Sequence, residues 1–120
     1  MAMCKHDRNL TDEQLKALAQ NGGVAQVCLL DRYINEDYKN ASLTDAIEHI
    51  DHMVKVAGID HVGIGSDFDG GGGIIGCESD NDFIQITVKL IEKGYTEEDI
   101  AKIWGGNLMR VLDEVQATAP

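Results

Sequence analysis

The 120-residue sequence is poor in positive charge, in cysteine and in long apolar runs, and each shortage excludes something. Lys and Arg total 10 against 21 Asp and Glu, a formal net charge of -11. Such a surface repels phosphate backbones and anionic lipid alike, so neither nucleic acid nor a membrane surface is an expected partner. No apolar stretch reaches the roughly 18 residues that span a bilayer, and the opening "MAMCKHDRN" has no apolar signal core. Residues 1–3 are read as an added expression start. Cysteine is limited to Cys4, Cys28 and Cys77. An odd number, widely separated and without a C-x-x-C pair, suits structural thiols in a reducing, cytoplasmic setting better than a disulfide framework.

What is present is the composition of an ordinary soluble domain, 43% hydrophobic and 26% charged. "NLTDEQLKALAQNGG" predicts a short helix: Thr11 with Gln14 three residues on forms a capping box, Leu15, Leu18 and Ala19 share a face, and Gly22 and Gly23 stop it. "VAQVCLL", Val24 to Leu30, has almost no polar alternation and reads as a strand buried on both faces. After the polar connection "DRYINEDYKNA", Ser42 caps a helix whose Leu43, Ile47, Ile50, Val54 and Ala57 recur at helical spacing until Gly58. "HVGIGSD", 61–67, repeats the buried-strand pattern. A third helix runs from Asp80 to about Lys93 with Phe83, Ile84, Thr87, Val88, Leu90 and Ile91 toward one side. Thr96 opens a fourth, acidic in its first turn; Gly105 and Gly106 break it, and Asn107 is placed to cap a final piece.

The connection between the strands is too long for a hairpin, so they are expected to lie parallel in an α/β layout. Two parallel strands do not make a self-sufficient sheet. The chain therefore reads as one partial domain over 1–120. Its two strands and about four helices would supply about two of the eight strand-helix units of a (β/α)8 TIM barrel, a fold of about 250 residues.

The segment "HVGIGSDFDGGGG", 61–73, packs two aspartates and four consecutive glycines against the end of a strand. An EF-hand register places Asp67, Asp69, Gly72, Ile74 and Glu78 at loop positions one, three, six, eight and twelve, but position five is Gly71 and the approach is a strand instead of a helix. A phosphate cradle fails, since neither the P-loop lysine nor the third glycine of G-x-G-x-x-G is present. The remaining reading uses the strand: in barrels and open parallel sheets chemistry sits at the carboxyl ends of strands, where Asp67 falls. A carboxylate there can move protons or lie beside a metal. An aspartate that merely caps the following loop fits the same position. Among the histidines, His49 and His52 lie one turn apart without H-E-x-x-H and are expected to face solvent. His61 begins the second strand at the end away from the site, and His6 lies near Arg8 without placed partners.

Four landmarks in order, "HDRNLTDEQLKAL", "NGGVAQV", "DAIEHIDHMVKVAGIDHVGIGSDFDG" and "EDIAKIWGGNLMRVL", resemble the C-terminal part of the membrane dipeptidase family, zinc peptidases of the amidohydrolase type. The resemblance covers about Cys4 to Val115. It implies a (β/α)8 barrel that hydrolyses dipeptides with two zinc ions, a metal-bridging hydroxide attacking the peptide carbonyl. It makes Asp67 the carboxylate that passes the proton to the leaving amine, and Arg8 the fork that holds the substrate's terminal carboxylate. It makes Tyr33 a pocket residue and Asp69 a residue that shapes the turn. The family's zinc ligands all precede the matched region, so no metal ligand is assigned here. The chain is expected to be inactive alone.

The rival expectation is a non-enzymatic module that either binds calcium through Asp67 to Glu78 or self-associates through uncovered strand edges and helix faces.

Overall fold

β1 (Ala25–Val27) and β2 (Val62–Ile64) pair in parallel, with Ala25 opposite Val62, Gln26 opposite Gly63 and Val27 opposite Ile64. This is a computed structural model, and it describes residues 4–120; residues 1–3, read above as an added start, lie outside the described residues. Both strands are shorter than their apolar runs predict. Pairing continues past them in irregular form, with Gly65 N–H donating to Val27 O (2.9 Å), Leu29 N–H to Ser66 O (3.1 Å) and Gly73 N–H to Leu29 O (2.7 Å). The chain thus leaves regular strand geometry where the glycine-rich segment begins.

Helices cover the pair. α1 (Asp12–Gln20) begins with the expected capping box between Thr11 and Gln14. α3 (Leu43–Ala57) begins at Ser42, whose N–H donates to Asp45 Oδ2 (3.0 Å), and buries Leu43, Ala46, Ile47 and Ile50. The core they enter includes Val27, Leu29, Val62, Ile86, Leu90 and Ile103. The polar connection after β1 is not plain loop: its start forms α2 (Asp31–Ile34), with Ile34 buried.

Two helical expectations are corrected. α4 (Phe83–Glu92) buries Ile86 and Leu90, whereas Ile84 and Ile91 are 60% and 59% exposed and Val88 is exposed beside them. The helix is apolar on two sides, and the described chain covers one. α5 (Glu97–Ala101) and α6 (Asn107–Thr118) are joined by a π-helical segment, Lys102–Gly106, that departs from helical geometry only at Gly105. Asn107 does not cap α6. Its buried Nδ2 instead donates to Ile59 O (2.7 Å) and Val62 O (2.9 Å), tying the last helix to the amino end of β2. Leu108, Leu112 and Val115 form a second exposed apolar stripe. Among the described residues, no helix is long and apolar enough to cross a membrane.

Candidate active site

Asp67 lies three residues beyond the end of β2, not at its last position, and opens the 3-10 turn Phe68–Gly70. With φ 64° and ψ 29° it is the only non-glycine residue of left-handed conformation among the described residues. An aspartate tolerates this region better than most residues, at a cost of about 1 kcal/mol. Its carbonyl accepts from Gly70 N–H (3.0 Å) and Gly72 N–H (2.7 Å), which wraps the loop around it. Two of the four glycines follow from that wrapping. A Cβ on Gly70 would collide with the Asp67 carboxylate, and one on Gly72 would lie 2.5 Å from Ser66 O. The loop is anchored by Phe68, whose ring stacks on Phe83 (5.4 Å), which in turn meets Trp104 edge-on (5.3 Å). Three of the chain's six aromatic residues are spent here.

The calcium register does not assemble. The loop is entered from a strand, and among the described residues Asp67, Asp69 and Glu78 belong to no group of three or more ligating side chains that could hold a metal.

Facing Asp67 is the segment before α1. Asn9 Nδ2 donates to Cys4 O (3.1 Å) and Tyr33 O (2.9 Å), clamping this segment to α2. The clamp sets the Arg8 guanidinium 5.8 Å from the centre of the Tyr33 ring, with the His6 ring tilted against the same tyrosine at 4.4 Å. Arg8, Tyr33 and Asp67 line one cavity of about 220 Å³. Ala25, Gln26, Val27 and Cys28 line it too. Because successive strand residues point to opposite faces, the three strand residues Ala25, Gln26 and Val27 reach one cavity together along a strand edge. The other edge of β1 carries β2, so the cavity runs along the unpaired one. Leu15 and Met53 add to its apolar part.

His49 and His52 also line the cavity and are half-buried, contrary to the expectation of solvent exposure. The cavity lies beside the α3 flank that the core stripe leaves out. His49 Nε2 donates to Ile34 O (2.8 Å), and burial pushes its pKa down, which favours the neutral ring. His52 Nε2 lies 2.8 Å from Asp12 Oδ1, and this hydrogen bond holds the Asp12 carboxyl below the usual range. His61 Nδ1 donates to Gly23 O (2.8 Å) at the opposite end of the strands. Each of these rings is engaged with protein, and among the described residues no donor set fits a zinc centre.

Cys28 was not singled out by the sequence. Its Sγ donates to Asp67 Oδ2 at 3.7 Å, and burial, together with the Asp67 charge, pushes the thiol pKa up. The available signal was its position two residues after Gln26, the one other polar residue in the run "VAQVCLL" and hence on the same face.

A sequence model described as membrane dipeptidase (peptidase family M19) matches residues 1–120. Dipeptidase aclJ of Aspergillus oryzae is 37% identical over 120 residues, and dipeptidase ataJ of Aspergillus terreus is 40% identical over 114. These alignments cover 98% and 93% of the chain but 28% of each relative, so the chain spans just over a quarter of their length. Among solved structures, the probable dipeptidase PvdM from Pseudomonas aeruginosa superposes with a TM-score of 0.90 at 29% identity, covering 98% of this chain and 43% of that one. A metallo peptidase from Rhodobacter sphaeroides, liganded with a phosphinate mimic of the dipeptide L-Ala-D-Ala, superposes at 0.87 and 28% identity, covering 93% and 33%.

Proposed function

The chain belongs to the membrane dipeptidase family, and on that premise we propose that it is the C-terminal part of a zinc-dependent dipeptidase, carrying substrate-binding and proton-transfer residues. The observation that carries the reading is that Arg8, Tyr33 and Asp67, far apart in sequence, line one cavity at the carboxyl end of two parallel strands. That is the end at which α/β barrels place their chemistry.

The Arg8 guanidinium offers a planar fork to the C-terminal carboxylate of a dipeptide, and the Tyr33 ring beside it restricts where the fork can point. Asp67, with its carboxylate exposed to the cavity, takes a proton and returns it to the leaving amine. Asp69 shapes the turn. Among the described residues no group of three or more side chains could hold the zinc that the family implies, and we assign its two ions to the part of the parent that precedes Arg8.

Both strands are sheet edges, which supports their being a slice of a continuing barrel. A preceding parallel strand would pair along the free edge of β1 and fill the apolar length of the cavity, leaving its rim of Arg8, Tyr33 and Asp67 for substrate. The isolated chain self-associates with a second copy through the stripes Ile84, Val88, Ile91 and Leu108, Leu112, Val115, faces that the rest of the parent covers. The unpaired Cys4, Cys28 and Cys77 support a reducing, cytoplasmic compartment.

The deciding experiment compares residues 1–120 with the same gene extended upstream, each assayed on a simple dipeptide with and without zinc. Hydrolysis by the extended protein alone is expected. Zinc-dependent hydrolysis by residues 1–120 would overturn the division of labour, and inactivity of both would overturn the activity itself.

A further inference from the structure

The Asp67 carboxylate projects from a loop on a left-handed backbone, with Gly70 leaving it room and its own carbonyl occupied by Gly70 and Gly72. A carboxylate whose own loop binds only its backbone carbonyl needs a donor from another segment to aim it. Among the described residues, the side-chain hydrogen bond it accepts comes from Cys28. We infer that Cys28 is a positioning residue for proton transfer, its S–H donating to Asp67 Oδ2 and holding that carboxylate toward the cavity. This rests on the role proposed above for Asp67.

The geometry is suited to the task. Cys28 follows directly from β1 and Asp67 from the irregular continuation of β2, and the two continuations are tied by the hydrogen bond from Leu29 N–H to Ser66 O (3.1 Å). The donor and acceptor therefore sit on neighbouring rungs of one ladder and move together. A thiol can serve only while it keeps its proton. Burial raises the Cys28 pKa and the adjacent Asp67 charge raises it further, while the Leu30 backbone and Arg8 pull the other way. Tyr33, His49, His52 and Cys4 are the other titratable groups around the cavity. An S–H donor is weak, so it orients the carboxylate without locking it away from a substrate amine.

The test uses the extended protein. Removing the Asp67 charge releases more thiolate, so Asp67→Asn should make Cys28 react with iodoacetamide about three- to tenfold faster at pH 8, followed by mass spectrometry of the Cys28 peptide. Cys4 and Cys77 are buried and serve as internal controls. In dipeptide kinetics, Cys28→Ala should lower kcat about three- to tenfold with KM unchanged, and Cys28→Ser, which keeps a donor, should recover most of the loss. Equal alkylation rates, or equal losses for Ala and Ser, overturn the inference. Full activity in Asp67→Asn sinks the proposed role of Asp67 and with it any positioning role for Cys28. Loss of activity in Asp67→Asn beside wild-type kcat in Cys28→Ala leaves Asp67 standing and refutes Cys28 alone.

Discussion

The two ends of the strand pair are built differently. At the amino end, hydrogen bonds are short and numerous: buried Asn107 donates to Ile59 O and Val62 O, Arg110 donates to Gly22 O (3.0 Å) and Asp60 O (2.9 Å), His61 donates to Gly23 O (2.8 Å), and Lys102 pairs with Asp60 (3.0 Å). At the carboxyl end, Asp67 and Arg8 are exposed, the donor to the Asp67 carboxylate is a sulfur at 3.7 Å, and the backbone at Asp67 adopts a left-handed conformation. One end commits its charged and amide side chains to its own carbonyls and carboxylates, and the other leaves the Arg8 and Asp67 side chains exposed. Barrels divide labour this way, with stability at one face and chemistry at the other.

That contrast can be broken by substitution. The largest effect is expected from Asp67→Asn in the extended protein, about 10²- to 10⁴-fold in kcat by loss of the proposed proton carrier. Asparagine also tolerates the left-handed backbone, so the melting temperature should hold; a large fall in it would make Asp67 a structural cap. Next is Asn107→Ala, which strips the Ile59 and Val62 carbonyls of their donor and leaves a hole, costing about 3 kcal/mol in urea unfolding. Its KM should be that of the wild type, and a KM effect exceeding the stability loss would erase the distinction between the ends. Gly70→Ala pushes a Cβ into the Asp67 carboxylate, and a displaced proton carrier should lose about 10- to 100-fold in kcat. Wild-type kcat in that variant would show that the position of the carboxylate is immaterial.

The stabilising end was the less legible of the two in the sequence. Helix starts were readable because their signals are local: the Thr11–Gln14 capping box forms as read, and the helix opened by Thr96 begins there with its acidic first turn. Asn107 was read as a cap because asparagine before an apolar run usually is one, and nothing local reveals two carbonyls about 48 residues upstream. The α4 stripe failed for a related reason. Ile84, Val88 and Ile91 have a perfectly helical spacing, as do Ile86 and Leu90, and periodicity cannot say which face finds a partner within this chain. At the other end, the expected strand-end position of Asp67, which lies three residues beyond β2, pointed to chemistry, and the roles proposed for it, Arg8 and Tyr33 came through motifs shared with a family. Cys28 stayed hidden because a thiol in an apolar run looks like core.

The smallest effect comes from the floor of the cavity and asks to which end the floor belongs. His49 is half-buried, and burial holds its pKa below the ordinary value, with the carbonyl of Ile34 and the charge of Asp45 opposing. The unfolded chain therefore binds the proton first as pH falls, so the stability due to neutral His49 is complete above about pH 6.5 and is lost as pH drops toward the folded value. The carboxyls of Asp12, Asp51 and Asp60, all held below their usual range, also lose stability on acidification, but only below about pH 4. The part of any decline in the urea midpoint between pH 7.5 and 5 that His49→Gln, which keeps a donor for Ile34 O, removes is the signature of His49. If that variant also keeps the wild-type KM, the floor belongs with the stabilising end and substrate is confined to the rim. A raised KM would extend the binding surface down the free edge of β1, where the barrel reading places a neighbouring strand, and would contradict that placement.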